Sequence, residues 1–116
     1  MAVRMRPGDA LRLWQDVSLA LVRDAEADLS VRQMSVLMTI YMDPQPHTVR
    51  GLAAKLQVTK PVITRALDTM GRQGLVRRKR DPADRRNVLV QRTVGGALFL
   101  ERLGDLIAAR AAELPA

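Results

Sequence analysis

A chain of 116 residues, 47% of them hydrophobic, is one domain's worth of sequence with a small core, which a second copy would enlarge. Nineteen Lys+Arg against 12 Asp+Glu leave a net charge of +7, which points to a polyanionic partner, either nucleic acid or an anionic membrane surface. With no Cys and one His, disulfide frameworks, thiol redox sensing, Cys nucleophiles and Cys-ligated zinc are excluded, and no His/Cys metal site within one chain is expected.

The N-terminus, Met1-Ala2-Val3-Arg4, lacks the apolar segment of a secretory signal, and the expected compartment is the cytoplasm. No run approaches the roughly 18–20 apolar residues of a transmembrane helix. Pro7-Gly8 breaks the N-terminal tail and Asp9 is a candidate cap for a first helix, Ala10 to about Ala27. Its stripe is Ala10, Leu13, Trp14, Val17, Leu21 and Ala25. Leu11, Leu19 and Val22 widen it beyond one face, as in a helix buried against more than one neighbour. Ser30 opens a second helix, and Gln33 completes a capping-box spacing. Val31, Met34, Leu37, Met38 and Tyr41 are its expected inner stripe, and Asp43-Pro44-Gln45-Pro46 stops it.

Thr48 is a plausible N-cap for a short third helix, Val49 to Leu56, with Val49, Leu52, Ala53 and Leu56 inward. After the tight Gln57-Val58 connection, Thr59 caps a fourth helix with Pro61 in its first turn, where the missing N–H does no harm. Val62, Ile63, Ala66, Leu67 and Met70 make its inner stripe, while Thr59, Lys60, Thr64, Arg65 and Asp68 lie opposite. Gly71 and Gly74 end it, Gly74 being the better left-handed terminator. The period then changes. Leu75 to Arg80 and Asn87 to Arg92 read as two strands, joined by the turn-rich Asp81-Pro82-Ala83-Asp84-Arg85-Arg86. Thr93 and Gly95-Gly96 separate this hairpin from a last helix, Ala97 to about Glu113, whose Phe99, Leu100, Leu103, Leu106 and Ile107 again form a wide stripe.

The charge is not spread evenly. Residues 48–92 hold twelve basic side chains and three acidic ones, a net of +9, whereas the remainder holds seven basic and nine acidic, a net of −2. The bland reading of such a segment is a solvated basic face; its concentration in one stretch of a small domain favours a binding surface.

Two short helices joined by a tight turn, the second with small polar and basic residues outward, make a helix-turn-helix. A helix fits the major groove, where base edges are distinguishable, and its first turn offers free N–H groups to phosphate. Short side chains at Thr59 and Thr64 allow close approach, and Lys60 and Arg65 can reach guanine edges or phosphates. Arg85 and Arg86 at the hairpin tip have the reach and charge for a narrow minor groove. Thr48 and Arg50 at the start of the third helix extend the surface. On the strand, alternation lets at most half of Arg77, Arg78, Lys79 and Arg80 touch phosphate, and Arg78 and Arg80 are taken as that half.

At these residues the sequence resembles the MarR-type winged helix-turn-helix regulators. The likeness runs through Val58-Thr59-Lys60-Pro61-Val62-Ile63-Thr64-Arg65-Ala66-Leu67 and Gly74-Leu75-Val76-Arg77-Arg78. It continues in Asp81-Pro82-Ala83-Asp84-Arg85-Arg86-Asn87-Val88-Leu89-Val90, whose Asp-x-Arg is the most specific element, and in Thr93-Val94-Gly95. It covers about Leu29 to Gly96. The resemblance implies a mainly α fold with a small β-hairpin wing (α+β), in one domain spanning 1–116. It implies dimerisation helices at 8–28 and 96–114, a DNA-binding core at 30–95 and a wing at about 75–93. It further implies that Thr59, Lys60, Pro61, Thr64 and Arg65 face the major groove. Arg86 would enter the minor groove while Asp84 helps to hold the wing tip. The activity implied is that of a homodimeric, sequence-specific regulator of double-stranded DNA, most often a repressor, on a pseudo-palindromic site. Arg92 stands where such proteins carry an apolar residue, on a strand face with Val88 and Val90, and a phosphate contact and a salt bridge are both open to it.

Other classes fare worse. Ser18, Ser30 and Ser35 fall in helices or caps far from the one His, there is no phosphate-cradling glycine motif, and no carboxylate pair sits in an apolar setting. No catalysis and no cofactor are expected. His47 reads as an ordinary loop residue, the Met residues as core filler, and Trp14 as a core or interface anchor with a small-molecule cavity as the alternative. A small-molecule effector has no residue pattern in its favour. A sequence-indifferent binder, architectural or single-stranded, is the first rival; single-strand and RNA platforms stack bases on aromatics, yet residues 48–92 contain no Phe, Trp or Tyr. A winged helix used for protein contact would leave the wing arginines dispensable. A membrane-surface role lacks a helix that is basic on one face and strongly apolar on the other.

Overall fold

The computed structural model describes residues 3–24 and 28–115. In chain order they form α1 (Pro7–Asp24), α2 (Val31–Met42), β1 (His47–Thr48), α3 (Val49–Leu56), α4 (Lys60–Arg72), β2 (Val76–Arg80), β3 (Val88–Arg92) and α5 (Val94–Ala112). The chain divides into two compact units, residues 1–28 with 101–116 and residues 29–100. Among the described residues no helix is long and apolar enough to cross a membrane.

The 29–100 unit has its own core. Val36, Leu37 and Ile40 of α2, Leu52 and Ala53 of α3, and Ile63, Ala66, Leu67 and Met70 of α4 are buried together with Leu75, Val76 and Val90. The expected stripe of α2 is out of phase with this. Val31 is 80% exposed because it occupies the first helical position, whereas Val36 and Ile40, absent from the expected stripe, flank Leu37. Ser30 forms the anticipated capping box: its hydroxyl accepts from the Gln33 N–H at 3.1 Å and its own N–H donates to Gln33 Oε1 at 2.8 Å. The Thr48 hydroxyl caps α3 by accepting from the Gly51 N–H at 2.9 Å.

Helices α3 and α4 end in the same way. The Gln57 N–H donates to the Ala54 carbonyl and the Val58 N–H to that of Ala53; Gly74 and Leu75 repeat the pattern on Gly71 and Met70. This Schellman-like closure places one residue in the left-handed region. At the end of α4 it is Gly74, φ 74°, which adopts that region freely. At the end of α3 it is Gln57, φ 57°, in the turn that leads into α4.

The sheet has the order β1-β3-β2, all antiparallel. Arg78 pairs with Val90, and the two-residue β1 pairs His47 with Val90 and Thr48 with Leu89. His47, expected in a loop, is therefore a strand residue; its Nε2 also lies 3.1 Å from the Asp43 carbonyl oxygen. Thr48, paired to β3 and capping α3 at once, ties the start of the helix pair to the wing.

The root of the wing hangs on Tyr41. Its hydroxyl accepts from the Thr93 N–H at 2.8 Å and donates to the Leu75 carbonyl at 2.7 Å. Thr93 Oγ1 donates to the Gly74 carbonyl at 2.7 Å and accepts from the Gly96 N–H at 3.0 Å. Thr93 thus caps α5, and Gly95-Gly96 belong to its first turn instead of separating it from the hairpin. The glycines serve close approach here. A Cβ on Gly96 would collide with the Tyr41 hydroxyl and the Leu75 carbonyl.

In the other unit α1 begins at Pro7, earlier than expected, because proline suits the first helical position. Asp9 then lies in the first turn, 4.0 Å from Arg6 Nε, and is not the cap. Among the described residues of this unit, Val17 and Leu103 are the buried apolar ones. Leu11, Trp14, Leu19 and Val22 on α1 are exposed, so the side chains that widen the α1 stripe are uncovered in a single chain. Of the α5 stripe Leu103 is buried, Phe99, Leu100 and Leu106 are half-buried and Ile107 is exposed. Ala25 and Ala27, assigned to the first helix from the sequence, lie outside the described residues.

Candidate nucleic-acid interface

The candidate site is built entirely within residues 29–100. Its centre is the outer face of α4. The inner stripe pins the helix by burying Ile63, Ala66, Leu67 and Met70, and this leaves Thr59, Lys60, Pro61, Thr64 and Arg65 exposed together. Thr59 occupies the N-cap position with extended backbone, but its hydroxyl makes no capping bond. The expected side-chain cap is absent, and the hydroxyl stays available to a ligand at the start of α4. Arg65 also borders an open cleft of about 210 Å³ between α2 and α4, with Arg32 on its far side. Arg32 lies outside the basic segment and went unmarked in the sequence.

The wing tip is ordered by its own carboxylates. The Asp81 N–H donates to the Asn87 carbonyl at 3.1 Å and Asp81 Oδ1 accepts from the Ala83 N–H at 2.9 Å. Asp84 does more. Its Oδ1 accepts from the Arg86 backbone N–H and Nε, both at 3.1 Å, and its Oδ2 from Arg86 Nη2 at 3.3 Å. The Arg86 side chain, 85% exposed, is thereby oriented without being covered. These bonds, first the side-chain ones, then the backbone N–H, with a smaller contribution from the Arg50 charge, hold the Asp84 carboxyl below the usual carboxylate range. The carboxylate is ionised wherever the protein is folded at neutral pH. The influence of Arg50 also brings the start of α3 into electrostatic range of the tip.

The strand residues sort differently from expectation. Val76, whose side chain is buried, shares its sheet face with Arg78 and Arg80, whereas Arg77 and Lys79 lie on the other face. Arg78 Nη2 donates to Asp68 Oδ1 on α4 at 2.5 Å, and Arg80 Nη1 to the Arg85 carbonyl at 2.7 Å. The two arginines chosen from alternation are therefore engaged with the protein. Arg92 adopts neither of the roles open to it. Its Nε donates to the Ile40 carbonyl at 2.7 Å and its Nη2 to that of Asp43 at 2.9 Å, with its guanidinium 5.8 Å from the centroid of the Tyr41 ring. It terminates α2, where a cation suits the negative end of the helix dipole.

All four carboxylates of the 29–100 unit are occupied: Asp43 by Lys55 at 3.3 Å, Asp68 by Arg78, Asp81 by the Ala83 N–H and Asp84 by Arg86. Lys60, Arg65, Arg77, Lys79 and Arg85 are exposed without an ion pair. The outward field of this unit is therefore positive, with its negative charge spent on holding the scaffold. Among the described residues no group of three His, Cys, Asp or Glu side chains is placed to hold a metal ion.

A helix pair with an open second helix, followed by the β2–β3 hairpin, is the architecture that the sequence resemblance implies, and β1 adds a third strand to it. Residues 29–88 match the sequence profile of the MarR family. The chain belongs to the MarR family of winged helix-turn-helix transcriptional regulators. A curated relative, the organic hydroperoxide resistance transcriptional regulator of Bacillus subtilis (strain 168), is 37% identical over 59 residues. That match covers 51% of this chain and 40% of the relative, so the chain spans about two fifths of its length. Among solved structures of MarR-like fold, the transcriptional repressor CouR bound to a 23-mer DNA duplex is 29% identical with a TM-score of 0.71, covering 90% of this chain and 70% of its own. A mutant MarR from E. coli complexed with operator DNA is 28% identical with a TM-score of 0.68, covering 91% and 70%.

Proposed function

We propose that this MarR-family chain is a sequence-specific, double-stranded DNA-binding repressor acting as a homodimer. The observation that carries the reading is the clustering of Thr59, Lys60, Pro61, Thr64 and Arg65 on one exposed face of α4, within a unit whose carboxylates are all internally engaged. Helix α4 enters the major groove, where Arg65 reads a base edge and Lys60 and the Thr59 hydroxyl meet the backbone. Arg86, presented by Asp84, enters the adjacent minor groove, while Arg50 and Arg85 add phosphate contacts. The duplexes bound to CouR and to the E. coli protein support this orientation of function.

The second copy answers the uncovered apolar side of α1. Leu11 and Val22 are 71% and 83% exposed, and burying such side chains contributes about 1.5–3 kcal/mol each. A two-fold pair of α4 helices meets successive major grooves about 34 Å apart, so the site is a pseudo-palindrome with half-sites about one helical turn apart. Selection of bound duplexes from a random library at near-physiological salt tests this directly. Enrichment of a symmetric motif with that spacing is the expected result; enrichment of no motif contradicts sequence-specific recognition.

A further inference from the structure

The bond between Arg78 and Asp68 joins the wing to α4, and we infer that this pair acts as a positioning strut for DNA reading, Arg78 working through α4 and not by touching phosphate. The inference rests on the DNA-binding reading and deepens it. Three observations carry it. Arg78 lies on the core-facing side of β2, in line with the buried Val76 and opposite the buried Val90 of β3. Its guanidinium donates to Asp68 Oδ1 at 2.5 Å, the side chains being 35% and 43% exposed. Asp68 is the one acidic residue of α4, and it lies one turn beyond Thr64 and Arg65 on the helix proposed to enter the groove.

A carboxylate in that place is a liability for a helix that must approach a polyanion, because it repels phosphate. Its retention is accounted for if it does something the approach needs. Helix α4 ends at Arg72 and turns through Gly74 directly into β2, so the angle between helix and wing is set across a single tight turn. The Arg78–Asp68 bond closes that turn from the other side. It fixes how far the wing tip, with Arg86, stands from the reading face. The energy of a half-exposed ion pair is small; its geometry is what two probes in adjacent grooves require.

The strut and a plain phosphate contact predict opposite signs. If Arg78 merely touched phosphate, Asp68→Asn would remove a negative charge and tighten binding. If the pair is a strut, Asp68→Asn weakens binding although the protein becomes more positive. The test measures affinity of the full chain for a selected duplex and for a random duplex as a function of salt, with thermal melts confirming folding. The variants are Asp68→Asn, Arg78→Lys, Arg78→Ala, and Asp68→Asn combined with Arg78→Ala.

The expected result is a loss of about three- to tenfold on the selected duplex for each single variant, with the double variant no worse than either. The preference over random duplex narrows, and the slope of log affinity against log salt is unchanged. Arg78→Lys keeps the charge but not the planar donor, so it too loses affinity. Lys79→Ala, on the other sheet face, supplies the contrast: it reduces the slope by about 0.9 if Lys79 neutralises one phosphate. Tighter binding by Asp68→Asn, full affinity in Arg78→Lys, or a slope reduced by about 0.9 in Arg78→Ala would overturn the strut. Absence of salt-dependent duplex binding by the unsubstituted protein overturns the DNA-binding reading and the strut with it.

Discussion

The two units of this chain solve different problems with similar helices. Residues 29–100 close their own core: among the described residues, twelve of the fourteen buried apolar side chains lie there, and the other two, Val17 and Leu103, belong to the terminal unit. The same 29–100 unit carries thirteen basic residues against four acidic ones, while the terminal unit carries six against eight. The charge needed for a polyanion is thus concentrated on the part that folds around its own core. Among the described residues, most of the exposed large apolar side chains, Leu11, Trp14, Leu19 and Val22 among them, lie on the terminal unit. An exposed apolar stripe and a basic face thus lie on separate parts of one small chain.

That contrast can be broken most sharply by paired truncations. Leu67→Ala, removing a fully buried side chain of α4, should cost about 2–5 kcal/mol in chemical denaturation. Val22→Ala, on the exposed side of α1, should stay within about 0.5 kcal/mol at concentrations where the chain is monomeric and weaken self-association in sedimentation. Equal losses of monomer stability would erase the distinction. Next in size is Arg65→Ala, which leaves the melt unchanged but lowers affinity for a selected duplex by about 1–3 kcal/mol and relaxes base preference. A uniform loss on all duplexes would instead make Arg65 a phosphate contact.

Thr48→Ala should cost about 1 kcal/mol of stability through the lost cap. It loosens both α3 and the β1–β3 pairing, so it sharpens the view that the reading unit is one cooperative body. A loss of affinity larger than the loss of stability explains would make Thr48 a DNA contact as well. The smallest effect concerns Asp84. Its carboxyl is held below the usual range by Arg86, so the clamp is complete above that range and is lost only as pH falls through the depressed value. Following the Arg86 side-chain resonances in a pH titration should show no change between about pH 5 and 8. A midpoint at or above the ordinary carboxylate range would mean that the clamp is not formed.

Much of the reading unit was legible in the residues themselves. Periodicity and caps locate α3 and α4, Gly74 marks the left-handed turn, and the Asp-Pro-Ala-Asp-Arg-Arg run marks the wing tip. What escaped was tertiary. A two-residue strand such as His47–Thr48 has no period to read. The phase of α2 is obscured because Val31 is apolar yet sits on the first helical position, outside the core. Gly95-Gly96 read as a break because glycine lowers helix propensity, but the Tyr41 hydroxyl needs that space. Arg92, Arg78 and Asp68 have partners 10 to 52 positions away in the chain, and a strand alternation rule cannot see whether a guanidinium faces a carbonyl, a carboxylate or solvent.

On the reading proposed above, the positive face of the 29–100 unit binds double-stranded DNA by reading its sequence. Affinity for a selected duplex, measured across a salt series with random duplex as competitor, tests it most directly. The expected result is a steep linear fall of log affinity with log salt, at about −0.9 per phosphate neutralised, and a selected site that random duplex displaces poorly. Binding that ignores salt, or random duplex that competes as well as the selected site, would contradict it.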